Sequence, residues 1–221
     1  MKSFLKQFFM GSKKSSANTE SSRKNGVLGQ FGLWDWWYEV FGDEERKYVL
    51  EKYNPFPGYP QGESVLTHGN ISIANPRVFL SSTALWFNNQ EGFSVALKFM
   101  DKAQEYSHSD LDILSYHFDC YERIKFYYRW RSEHEGALDA SIIACKEQIS
   151  IAEKSAPACF EKFKALPHHT GYEQLAIIYE KQGQFEEAIV LCEKGRKQGW
   201  ANDFEKRLAR LNKKLTKLND E

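Results

Sequence analysis

Six histidines are the first residues to test for chemistry, because neutral imidazole serves as metal ligand and as acid–base group near neutral pH. His168 and His169 are adjacent, His117 stands within a long apolar-periodic stretch, and His68, His108 and His134 are scattered. A zinc site needs His and Cys at set spacings, such as HExxH on one helix face or paired-Cys knuckles. The chain has neither pattern. Cys120, Cys145, Cys159 and Cys192 are widely spaced among apolar residues, which fits small buried hydrophobes of a reducing compartment. His117, on an apolar face, reads as a hydrogen-bonded core residue. His169 falls beside an expected helix N-terminus, where the helix dipole disfavours imidazolium. The role of His168 and His169 stays open. Carboxylate neighbours such as Asp110/Asp112 and Glu186/Glu187 diverge around a helix rather than converge on a substrate. No GxxxxGK[ST], GxGxxG or GxSxG loop occurs, so phosphate cradling and a nucleophile elbow have no support. The expectation is a non-catalytic protein with no metal and no cofactor.

Two further stretches combine residue types that bind ligands. RIKFYYRWR (123–131) interleaves cations with aromatics, as single-strand nucleic-acid sites do. On a helix Arg123, Lys125, Arg129 and Arg131 point to different sides, so no dedicated nucleic-acid binding is expected. Trp34, Trp36, Trp37 and Tyr38 form a dense aromatic cluster. It reads as a hydrophobic plug packing an N-terminal segment on a helical body. The alternative is an aromatic pocket for a small molecule, which would make the protein a ligand binder or an enzyme.

The elements that must carry these residues are helical. Residues 1–26 hold six Lys/Arg and one Glu and are Ser-rich, a disordered basic segment in this reading. Phe4, Leu5, Phe8 and Phe9 give its start a short apolar edge, an alternative tether to an anionic membrane. No stretch nears the ~20 apolar residues of a membrane span, and no cleavage site follows the opening residues; a cytoplasmic location is expected. Residues 27–62 read as an aromatic extension on the helical body, with Asp43 capping a helix and Pro55, Pro57 and Pro60 beyond its end. From 63 to 221 the apolar spacing is helical. Asn75-Pro76 opens one helix, and Ser109 with Asp112 opens a long one through about Glu135. Another helix follows Gly136 to about Ser155. Thr170 with Glu173, and Asn202 with Glu205, read as capping boxes. In the last helix Phe204, Leu208, Leu211, Leu215 and Leu218 form a narrow seam. That seam either covers the preceding hairpin or pairs two chains as a homodimer.

Residues 169–202 resemble the 34-residue tetratricopeptide (TPR) repeat. Tyr172, Leu175, Ala176 and Tyr179 match its first helix, and Gly183, Phe185 and Ala188 match its second. Small Ala176 and Ala188 allow close helix approach. Cys192 stands where an aromatic is common, Gly195 where Ala is usual, and Asn202 at the terminal Pro position. Residues 76–107 are similar to a degenerate copy, through Leu80, Ala84, Phe87, Phe93, Ala96 and Ala103. The resemblance implies an all-α fold of stacked antiparallel hairpins with a C-terminal capping helix. It also implies a protein-interaction scaffold with a concave peptide-binding face. By the repeat pattern that face would present Glu173, Ile177, Glu180 and Lys181, with Asn88 and Asn89 in the degenerate copy. The acidic middle of the chain, between two basic ends, favours a basic partner segment.

Overall fold

The computed structural model describes residues 25–55, 64–69 and 72–219. The expectations for residues 1–24, and for Pro57 and Pro60, lie outside these. Among the described residues the protein is all-helical, in eleven α-helices. They are α1 (Gly26–Gln30), α2 (Trp34–Val40), α3 (Asp43–Lys52), α4 (Pro76–Trp86), α5 (Phe93–Gln104), α6 (Ile113–Arg129), α7 (Ala137–Ser150), α8 (Ala152–Phe163), α9 (Thr170–Lys181), α10 (Phe185–Lys197) and α11 (Phe204–Asn219). None is long and apolar enough to cross a membrane. The chain divides into two compact units, one ending at Ser107 and the other beginning at His108.

In the first unit a short helix persists because its orphan N–H groups are accepted elsewhere. Gly26, Val27 and Leu28 donate to the carbonyls of Gly69, Val65 and Leu66, each at 3.0 Å. Gly26 adopts φ +68°, and a Cβ there would meet the Leu66 carbonyl oxygen at 2.3 Å; only glycine fits. α4 and α5 pack as a hairpin. Asn75 caps α4 by accepting from Val78 N at 3.2 Å, with Pro76 at the first helical position, as expected from the sequence. The core is aromatic: Trp37, Phe41, Phe87 and Phe99 are buried together. Lys98 joins α5 to Glu45 of α3 at 2.5 Å.

In the second unit α6 packs along α7, α7 against α9, α9 along α10, and α10 along α11. Tyr172, Ala176, Ala188, Cys192, Trp200, Phe204, Leu208 and Leu211 share one core. The first three seam residues of α11 are therefore buried within the chain, whereas Leu218 at the far end is 57% exposed. Gly195, unusual for the repeat, has a packing reason. A Cβ there would lie 2.4 Å from Phe204 Cζ, so the ring lies where a methyl would stand. Gly195→Ala is expected to lower stability by about 1–3 kcal/mol, read as a fall in melting temperature. Adding Phe204→Leu should recover most of it.

Several helix ends differ from the sequence expectations. Asp43 is the first residue of α3, not its cap; Gly42 precedes the helix and donates its N–H to Glu45 at 3.0 Å. Asp112 alone caps α6, accepting from Leu114 N and Ser115 N at 3.0 Å, while 108–110 form a 3-10 turn. The long helix stops at Arg129 rather than near Glu135. The helix expected over 137–155 is two, broken at Ile151, and the second continues to Phe163 through Pro157. Pro157 is exposed, so the carbonyl its ring leaves unpaired can reach water. Neither later capping box forms. His169, not Thr170, precedes α9 and caps it, and Asp203 accepts from Lys206 N at 3.3 Å in place of Asn202.

Candidate functional site

α9 places Glu173, Ile177 and Glu180 at i, i+4 and i+7, one row on one helix face. α11 presents Arg207, Arg210 and Lys214 at i, i+3 and i+7. The two rows meet at Glu180, whose side chain is 10% exposed. Arg210 grips it as a fork, Nε to Oε1 at 2.9 Å and Nη2 to Oε2 at 2.8 Å. Lys214 Nζ lies 2.8 Å from Oε1 and Arg207 Nη1 3.4 Å from Oε2. Partial burial would raise the carboxyl's pKa, but the hydrogen bonds and charges of Arg210 and Lys214 outweigh it and hold it at about 2. Glu173 accepts from Asn202 Nδ2 at 3.3 Å and lies 3.9 Å from Arg207.

Around this pairing is an open pocket of about 360 Å³, lined by Ile177, Glu180, Lys181, Arg207, Arg210 and Lys214. At its edge Lys181 Nζ donates to Tyr128 OH at 3.1 Å. Three of the four α9 residues selected by the repeat pattern thus come together, with Glu173 beside them. The three α11 cations were visible in the sequence only as a basic helix face. Their signal was a complementary spacing: cations at 207, 210 and 214 match acids at 173 and 180.

Asn88 and Asn89 fall elsewhere. α4 ends at Trp86, so both lie in the turn before α5 rather than on a helix face. Asn89 Oδ1 accepts from Gly92 N at 2.9 Å and closes that turn. Both belong to the first unit, Glu173 to Lys181 to the second. The aromatic cluster divides between core and surface. Trp37 is buried against Phe41, Trp36 meets Phe41 and Phe99 edge-on at 5.1 and 5.5 Å, and half-buried Trp34 stacks on exposed Tyr38 at 5.8 Å.

The histidine pair separates: His168 is exposed and His169 fully buried. His169 faces His117 at 5.2 Å between ring centroids, and Trp200 contacts both rings. Among the described residues no group of three His, Cys, Asp or Glu is placed to hold a metal ion. The four cysteines are buried free thiols. Burial pushes Cys159 and Cys192 up to about 11, and Cys120 and Cys145 up to about 12, despite the cation beside Cys120. Thiols so protonated are poor nucleophiles. In 123–131 the cations do diverge: Arg123 is buried, Lys125 exposed, and Arg129 and Arg131 lie over Trp130 and Tyr128. Comparison of the chain with known protein families, curated proteins and solved structures finds no match.

Proposed function

We propose that this chain is a non-catalytic protein-binding module whose second unit is a TPR-like stack of helical hairpins, covered by α11, and that it holds a segment of a partner protein on the α9 face. The observation that carries this reading is the convergence of Ile177, Glu180 and Lys181 on one open pocket with α11 as its second wall. The order of packing supports it, since each helix pairs with near neighbours in the chain, as stacked repeats require. The pocket offers an apolar floor at Ile177 and charged walls, an arrangement suited to a side chain presented by an extended segment.

A peptide-display selection against the whole chain, followed by titration calorimetry, tests this. Selected peptides are expected to lose at least ~10-fold in affinity on Ile177→Asn or Lys181→Ala, about 1.4 kcal/mol or more. The melting temperature should barely move for Lys181→Ala, because Lys181 is exposed, and should fall only modestly for Ile177→Asn, because Ile177 is half-buried. Recovery of no binder, or of binders indifferent to both changes, refutes the assignment.

A further inference from the structure

We infer that the segment held on the α9 face is acidic: a stretch of protein carrying Asp or Glu side chains, received by a basic strip that runs from Arg131 past Lys181 to Arg210 and Lys214. This inference rests on the binding-module reading and gives its occupant a chemistry opposite to the one that the acidic middle of the chain suggested.

The reason lies in how Glu180 is used. A carboxylate offers roughly four lone-pair positions, and Glu180 faces Arg207, Arg210 twice, and Lys214. It has little capacity left for an incoming cation. The cations are in the reverse position. A guanidinium has five N–H donors and an ammonium three, and Glu180 takes two from Arg210 and one from Lys214. The Arg210 and Lys214 side chains are 49% and 46% exposed, against 10% for Glu180. A group arriving from solvent therefore meets positive charge first.

The strip continues beyond the pocket. Lys181 donates to the hydroxyl of Tyr128, and the Arg131 guanidinium lies 4.2 Å from the centroid of that ring. Tyr128 thus spaces two cations and adds an apolar surface between them. Four cations line the pocket itself against one carboxylate. Residues 108–221 as a whole hold 18 Lys/Arg and 19 Asp/Glu, so the positive field is a local feature of this face. Fields of this kind steer an oppositely charged partner and set its register.

The test uses the whole chain and a Glu-rich peptide, acetylated and amidated at its ends so that side chains alone supply the charge. Versions with Gln or Lys in place of Glu, and a single-stranded oligonucleotide of equal charge, are titrated beside it. The Glu peptide is expected to bind at least ~10-fold more tightly than each of the others and to weaken as salt rises. Arg210→Gln with Lys214→Gln should remove at least ~10-fold of that affinity. Because those two residues also hold Glu180, Arg131→Gln provides a second variant: it leaves the Glu180 pairing intact and should weaken binding several-fold. Arg196→Gln, a cation of α10 paired with Glu205, should change nothing. Equal or tighter binding of the Lys peptide or the oligonucleotide, or indifference to Arg131 and Arg210/Lys214, overturns the acidic occupant. If display-selected peptides still depend on Ile177, the binding module survives that result; if they do not, both ideas fall together.

Discussion

Arg123→Met is expected to lower the free energy of unfolding by about 3–5 kcal/mol. Arg123 and Asp119 are 5% and 2% exposed, one turn apart on α6. Arg123 Nε donates to Asp119 Oδ2 at 3.0 Å, and Nη2 donates to Glu147 of α7 and to Cys120 Sγ. Tyr116 OH donates to Glu147 at 3.4 Å. Burial opposes the guanidinium charge, yet the two carboxylates outweigh that and raise its pKa. Removing Arg123 takes from the buried Asp119 carboxylate the guanidinium that pairs with it, and weaker compensation of that desolvated charge carries most of the loss. Asp119→Leu added to Arg123→Met should therefore recover much of the stability, since an apolar pair of similar volume replaces buried charge at little net cost. Urea unfolding at neutral pH across the full mutant cycle measures the coupling. A single Arg123→Met within 1 kcal/mol of the parent would contradict this account.

Acid is expected to destabilise the second unit steeply below about pH 6.5. Burial pushes His117 down to about 4, and burial together with the neighbouring His117 pushes His169 down to about 3. The geometry explains why neither ring accepts a second proton. Gln148 Oε1 accepts from Gly171 N at 2.6 Å, which fixes its amide so that Nε2 donates to the His117 carbonyl and faces His117 Nε2. His117 then holds its one proton on Nδ1, toward Ser155 Oγ at 3.2 Å, and a proton on Nε2 would meet another donor. His169 Nδ1 accepts from Tyr172 N at 3.3 Å as the cap of α9, so protonation there abolishes the cap. Between the folded values and 6.5 the unfolded chain binds more protons than the folded one, and stability falls as pH falls. Each imidazole contributes up to ~1.4 kcal/mol per pH unit. Taken together to pH 4, the loss is on the order of 5 kcal/mol, comparable with the whole stability of many domains. His169→Asn retains a capping acceptor without the titration and should reduce the slope of stability against pH by about half. An unchanged slope in that variant would exclude His169 as a source.

Helical class was legible because it rests on short-range physics. Apolar residues at helical spacing, Asn75-Pro76, and Gly183 in the turn between α9 and α10 act within a few residues of themselves. The small residues Ala176 and Ala188 were likewise legible as points of close approach, and both are fully buried. Of the α9 residues taken from the repeat pattern, Ile177, Glu180 and Lys181 line one pocket. The Asn88 and Asn89 assignment did not carry over, because a helix that stops at Trp86 cannot present them on its face.

What tertiary structure decided was the use of each polar group. Asn202 carries the right side chain to cap α11, yet its Oδ1 accepts from His169 N at 2.8 Å and its amide reaches Glu173. That diversion withdraws two capping residues at once and leaves Asp203 and His169 to take their places. Arg123 and Asp119 have the spacing of an ordinary solvent-facing pair; only the packing of α7 on α6 makes them a buried network. Glu180 reads as an exposed acid until α11 lays three cations against it. Backbone helicity is a local property and so is written in consecutive residues, whereas the partner of a charged or hydrogen-bonding side chain is chosen by whichever distant group the fold brings within about 3 Å.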